Sequence, residues 1–294
     1  MDGREILAGF DGSPAGERAL RWAAAEASLR RVPLRVCHAW NWPYPLRPQD
    51  GDALAIARGM GAMALGDGVR LAREAVPGLD VRPLLVKGTP PGALLAAAAD
   101  AALIVIGARG SGGFDGLPLG STALHVPAHA DRPVVVVPAH ERADGARRRI
   151  VVGVDGSPAS EAALRFALHE ARLREAVVTT VCAWWDPAAV PGPDHLPFTD
   201  PGTVKERAKA RFADAVAPCL ADFPEVEVEQ RFVMERAQNV LADLARDAIL
   251  LVVGDRGIGV SPSTLLGAVT RAVLHDARGP VAVVHERDPE VKEP

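Results

Sequence analysis

Aromatic side chains make up only 4% of the 294 residues, and there is a single tyrosine. That scarcity argues against a platform on which nucleic-acid bases stack. Neither sign of charge is in excess. Lys and Arg number 33 against 37 Asp and Glu, a net of −4, so the basic footprint of a general nucleic-acid binder is missing. Three cysteines, Cys37, Cys182 and Cys219, with no CxxC pair among them, cannot build a disulfide framework. No apolar run reaches the ~18–20 residues of a membrane helix; the nearest, Ala93–Ala108, is interrupted by Asp100. The opening residues MDGREILAGFDG show no secretory pattern, and the expected compartment is a reducing cytoplasm. Two nucleotide motifs are also lacking. No GxxxxGK[ST] occurs, which excludes a P-loop NTPase, and no GxGxxG follows the first strand candidate, which argues against a dinucleotide site.

What is present is an ordinary globular composition, 48% hydrophobic and 24% charged, written as one unit twice. Residues 6–30 fall on residues 150–174 with sixteen of 25 positions identical, including the whole of DGSPA. LIVIGARG (103–110) matches LLVVGDRG (250–257), and RPVVVVP (132–138) matches GPVAVVH (279–285). Two homologous domains are therefore expected, residues 1–139 and 149–294, joined by a charged linker at 140–148. The halves differ most in the Pro-rich stretches 41–50 and 186–201.

Each half alternates short apolar runs with helical patterns. Strands are expected near 5–10, 33–40, 81–86, 102–107 and 133–138, and again near 149–154, 177–184, 226–233, 249–254 and 280–284. In the first half, helices are expected at Pro14–Arg30, Asp52–Val76, Pro91–Asp100 and Ser121–Ala130. Runs that are apolar throughout suit a parallel sheet buried on both faces, and strand–helix alternation implies a doubly wound α/β layer. Ser13 and Ser157 are suited to cap the first helices, with Pro14 and Pro158 at the first helical position.

In open α/β sheets, ligands bind beyond the carboxyl ends of the strands. Two loops qualify in each half. One follows strand 1 and carries Asp11 or Asp155. The other follows strand 4 and in the first half reads GARGSGGFDGLPLGST (107–122). Its glycines let backbone N–H groups approach an anion, and it ends where a helix begins at Gly120-Ser121, a place that favours phosphate. Read from glycine alone, a surface loop with Ser121 as an ordinary cap fits equally well.

The spacing is more specific. Gly107, two residues, Gly110, nine residues, Gly120 and then Ser121 resembles the loop of the ATP-binding universal stress proteins. DGSP after strand 1, GTPPGALL before helix 3 and RPVVVVP as the last strand agree with that family over nearly all of both halves, and the tandem arrangement is similar to its actinobacterial members. The resemblance implies two flavodoxin-like, Rossmann-like domains, each a five-stranded parallel sheet of order 3-2-1-4-5 with helices on both faces. It implies adenosine contacts from Asp11 with Gly9 nearby, an adenine lining from Ala39, and packing by Ile106. It places Gly107, Arg109, Gly110, Gly120 and Ser121 around ribose and phosphates, with Thr122 just behind. In the second half the corresponding residues are Gly153, Asp155, Gly254, Arg256, Gly257, Gly267, Ala268 and Val269. Ala268 replaces a hydroxyl residue, and Glu235 takes the place of Gly88, which brings a carboxylate near a candidate anion site. Weaker binding is expected there.

The implied function is a nucleotide-dependent stress or signalling module that binds ATP, with whatever Mg²⁺ the nucleotide brings. A homodimer and a protein partner are also expected, without nucleic acid or membrane. No general base or dedicated metal site is evident, so turnover, if any, is expected to be slow. A slow ATP hydrolase or nucleotidyl transferase, and a ligand-free interaction protein, are the alternatives. His125 and His129 have metal-ligand spacing but no third ligand, so a surface role is expected. Cys37 and Cys182 read as matching buried positions in strand 2. Trp40, Trp42, Trp184 and Trp185 read as closing the core beneath the Pro-rich loops.

Overall fold

Segments such as Leu103–Ile106 and Leu250–Val253 carry no polar side chain, so both of their faces must be covered. A computed structural model describes residues 5–42, 51–112, 119–138, 148–184, 201–261 and 264–286. All of the linker expected at 140–148 but Arg148, together with Gly113, Gly116, Trp185 and most of the Pro-rich stretches, lies outside the described residues. The chain divides into two compact units that part between residues 140 and 141.

The first unit runs β1 (Glu5–Gly9), α1 (Pro14–Arg30), β2 (Leu34–Trp40), α2 (Gly51–Ala75), β3 (Val81–Lys87), α3 (Pro90–Ala97), β4 (Ala101–Gly107), α4 (Ser121–His129) and β5 (Val134–Val137). A single 3-10 turn, Ala98–Asp100, leads from α3 into β4. All neighbours pair in parallel, in the order β3-β2-β1-β4-β5. The second unit runs β6 (Arg149–Gly153), α5 (Pro158–Arg174), β7 (Val177–Ala183), α6 (Pro201–Ala221), β8 (Val228–Val233), α7 (Ala237–Ala245), β9 (Leu250–Gly254), α8 (Ala268–Asp276) and β10 (Val281–Val284). Its order, β8-β7-β6-β9-β10, is the same 3-2-1-4-5 arrangement. Right-handed crossovers put α1 and α2 on one face of the first sheet and α3 and α4 on the other. The helix contacts follow that division, α1 touching α2 and α3 touching α4.

Ile6, Leu7, Leu103 and Ile104 are fully buried at the centre of the first sheet, as are Ile150 and Leu164 in the second unit. Both first helices start as their sequences require. Ser13 Oγ accepts from Gly16 N at 3.0 Å and Ser157 Oγ from Ser160 N at 3.2 Å, each followed by proline at the first turn. They end on left-handed residues, Arg31 at φ 56° and Glu175 at φ 51°. A buried ion pair one turn apart, Glu26–Arg30 in α1 and Glu170–Arg174 in α5, is repeated in both units.

The sheet register corrects one expectation. Gly9 of β1 lies opposite Cys37, whereas the equivalent Gly153 lies opposite Val181. Phe10 N donates to the Cys37 carbonyl just as Val154 N donates to that of Val181. Cys182 thus corresponds to His38, not to Cys37. One residue of slip turns a side chain to the other face of a sheet, so the two cysteines are not equivalent.

Helix α2 comes close to the sheet through its glycines. A Cβ on Gly68 would stand 2.6 Å from the Phe10 ring, and one on Gly61 would stand 3.0 Å from Trp40 Cβ. Gly68→Ala is expected to cost about 1–3 kcal/mol through overpacking, measured by urea denaturation, whereas Gly66→Ala on the open face should be neutral or slightly stabilising.

Candidate functional site

The site is built by the close approach of β4 to the first turn of α1. At the end of β4, a Cβ on Gly107 would lie 2.8 Å from the Ala15 carbonyl carbon and 2.9 Å from Gly16 N. Only a bare backbone fits that contact. It brings the loop after β4 against the loop after β1, within reach of Asp11. Asp11 Oδ1 accepts from Ser13 N at 3.0 Å and Ser13 Oγ at 2.6 Å, while Oδ2 accepts from Ser111 N at 2.7 Å. Ser13 Oγ also lies 3.2 Å from the Arg109 carbonyl. A side chain at Gly110 would collide with the carboxylate, its Cβ falling 2.7 Å from Oδ2.

Beyond this clamp lies a cavity of about 370 Å³. Ligand clefts commonly hold roughly 300–1,000 Å³. Gly9, Asp11, Ala39, Ile106 and Gly107 line it from the strand ends, and Arg109, Gly110, Gly120, Ser121 and Thr122 from the loop and from α4. All ten residues singled out in the first half therefore surround one space. Helix α4 opens into it without a side-chain cap, because its N-cap residue is Gly120. The first-turn N–H groups have no partner within the helix, and the helix dipole adds partial positive charge there. The position of Gly120 is not dictated by packing. Its φ is −83°, and an added Cβ would find nothing nearer than 3.6 Å.

The sequence reading missed Phe10, Pro90, Leu94, His38 and Ser111 in the lining. Leu94 had a signal, since it stands four residues after Pro90 on the first turns of α3, one face of a helix. His38 Nδ1 is 2.8 Å from the Phe10 carbonyl, which assigns its proton to that nitrogen. Cys37, buried in the same wall, has its thiol pushed up to about 11 by burial. His125 and His129 are exposed and stacked with ring centroids 4.0 Å apart. Among the described residues no group of three or more His, Cys, Asp or Glu is placed to hold a metal.

The second unit repeats the clamp with other surroundings. Asp155 Oδ1 accepts from Ser157 N at 2.9 Å and Ser157 Oγ at 2.6 Å, and Oδ2 accepts from Ile258 N at 2.9 Å. Gly254 abuts Ala159, and a Cβ at Gly257 would collide with Asp155. Gly153, Asp155, Gly254, Arg256, Gly257, Gly267, Ala268 and Val269 again line one cavity, of about 220 Å³. The changes make it smaller and less polar. Ser160 stands for Gly16, Ile258 for Ser111, and Ala268 and Val269 for the two hydroxyl residues Ser121 and Thr122. Thr270, in place of Ala123, turns its hydroxyl to the Gly254 carbonyl at 2.7 Å. The buried Asp255, in place of Ala108, accepts from Arg256 Nε at 2.9 Å. Glu235 does follow β8 as Gly88 follows β3, but it is exposed and outside the cavity lining, so it brings no carboxylate to the cavity wall.

The universal stress protein family model matches residues 3–138 and, a second time, residues 146–285. The chain belongs to the universal stress protein family. A universal stress protein of Mycobacterium tuberculosis (strain ATCC 25618 / H37Rv) is 33% identical over 291 residues, covering 96% of this chain and 97% of that protein. A second from the same strain is 31% identical over 292 residues, covering 96% of each. The crystal structure of a universal stress protein from Archaeoglobus fulgidus DSM 4304 superposes with a TM-score of 0.70 over 98% of both chains at 17% identity, a likeness of fold. The family membership is thus tandem, one copy in each half. No helix among the described residues is long and apolar enough to cross a membrane.

Removing the clamp should be felt in stability. Asp11→Ala leaves the Ser111 N–H and the Ser13 groups without their acceptor and is expected to cost about 1–3 kcal/mol, measured by urea denaturation. Gly120→Ala should stay within about 1 kcal/mol of wild type. Cys37 should react with iodoacetamide slowly near neutral pH and faster only as the pH nears its raised pKa, because the thiolate is the nucleophile.

Proposed function

We propose that the chain is a nucleotide-dependent stress-response or signalling module that binds ATP, alone or with Mg²⁺, at the carboxyl edge of its sheets. Binding is stronger in the domain of residues 1–139 and weaker in that of residues 149–294, which the linker 140–148 joins. The module works in the cytoplasm as a homodimer whose state a protein partner reads.

One observation carries this reading: the uncapped first turn of α4 opens into a cavity that the Asp11 carboxylate also lines. Polyphosphate takes the N–H groups that follow Gly120, with the hydroxyls of Ser121 and Thr122 and the charge of Arg109 beside them. Each carboxylate oxygen has two lone pairs, so Asp11 can hold its loop amide and still accept from a ribose hydroxyl. Ala39, Leu94 and Ile106 offer the apolar walls that a base needs. These groups bind and orient, and turnover slower than ~1 s⁻¹ is the expectation.

For the second domain, weaker binding is favoured by a specific observation. Its cavity, about 220 Å³, has lost both first-turn hydroxyls. Losing one neutral hydrogen bond weakens binding roughly tenfold, so the second domain is expected to bind ATP at least that much more weakly than the first.

Isothermal titration of the full chain with ATP tests both parts. The wild type should show one tighter binding event, and Gly120→Glu should abolish it by placing bulk and negative charge at the helix terminus. Retained tight binding in that variant, folded by circular dichroism, would refute the assignment of the site. Two equal events in the wild type would refute the asymmetry.

A further inference from the structure

Helix α2 has two unlike faces. One is seated on the sheet through Gly61, Leu65, Gly68 and Ala72, all buried. The opposite face carries Asp52, Ile56, Gly59, Met63, Gly66 and Arg70 at alternating spacings of four and three residues, the pattern of a coiled-coil seam. All six are exposed. Ile56 is 65% exposed and Met63 74%, with Met60 beside them at 67%. A Cβ on Gly59 or Gly66 would meet nothing within 4 Å. Between Asp52 and Arg70 the seam holds no charge, although the solvent side of a helix is normally polar. The equivalent helix of the second unit, α6, follows that norm with exposed Glu206, Arg207, Lys209, Arg211 and Asp214.

We propose that this seam is the contact between two copies of the chain, with their α2 helices antiparallel across a two-fold axis beside Gly61. In that register Met63 of one copy covers Gly59 of the other, and Ile56 covers Gly66. Asp52 meets Arg70. Each pairing occurs twice, as a symmetric interface requires. Sliding the helices by a heptad in either direction ends this match, setting Asp52 against Met63 or Arg70 against Gly59. The self-complementarity of bulk with bare backbone, and of acid with base, is what singles out a second copy as the occupant. Arg70 already has Asp67 and Glu74 on its own helix, so Asp52 adds orientation more than affinity. The seam spans about 27 Å of helix. One helix pair buries less than the ~1,200 Å² of a standard interface, so the dimer is reversible and concentration-dependent.

Sedimentation equilibrium of the full chain tests this independently of any nucleotide. The wild type should fit a monomer–dimer equilibrium. Met63→Glu, at a side chain standing in solvent, should keep its circular dichroism spectrum and raise the dissociation constant at least about tenfold by burying an unpaired carboxylate. Asp52→Arg should weaken the dimer, and adding Arg70→Glu to it should restore association. A wild type monomeric at all concentrations, or a dimer indifferent to Met63→Glu, overturns the proposal. Failure of the charge exchange to restore association overturns the antiparallel register.

Discussion

The carboxylate that follows the first strand ties the loop after that strand to the loop after the fourth, its neighbour in the sheet. In the first unit, Asp11 holds the turn at Ser13 with one oxygen and the Ser111 amide with the other. In the second, Asp155 does the same with Ser157 and Ile258. An ionised carboxylate accepting two or three N–H and O–H groups is a strong acceptor. The loop after the fourth strand is thereby held beside the first helix, and the next helix begins at the wall of the same cavity.

The glycines of the spaced motif divide by physical cause. Gly107 and Gly254 are bare because the first turn of a helix presses on them, and Gly110 and Gly257 because the carboxylate occupies the place of a side chain. These four are demanded by the clamp whether or not anything binds. Gly120 and Gly267 are different. Their backbones are extended and a Cβ would have room. Persistence of the motif in the second unit therefore reports the clamp first, while the chemistry facing the hollow has changed around it, with Ser160, Ile258, Ala268 and Val269 in place of smaller or more polar residues.

The tandem architecture was legible because apolar strands, serine-capped helices and proline at first turns are local signals, and each appears twice. The boundaries of α1, Pro14–Arg30, coincide with the expected ones because a cap and a left-handed stop bracket them. The eighteen residues drawn from the motif surround the two cavities because topology brings the ends of strands 1 and 4 together. The pairing of Cys37 with Cys182 was misread because one residue of slip within β2 and β7 is invisible to composition. The carboxylate of Glu235 was placed too near the second cavity because its side chain points to solvent.

Local order and repetition are thus properties of the chain itself, since caps, turns and apolar runs act over a few residues. Which atoms face the hollow belongs to the tertiary structure alone. Leu94 and His38 reach the first cavity, and Ile258 N meets Asp155 at the second, only through contacts between segments far apart in sequence, which packing and not local preference decides.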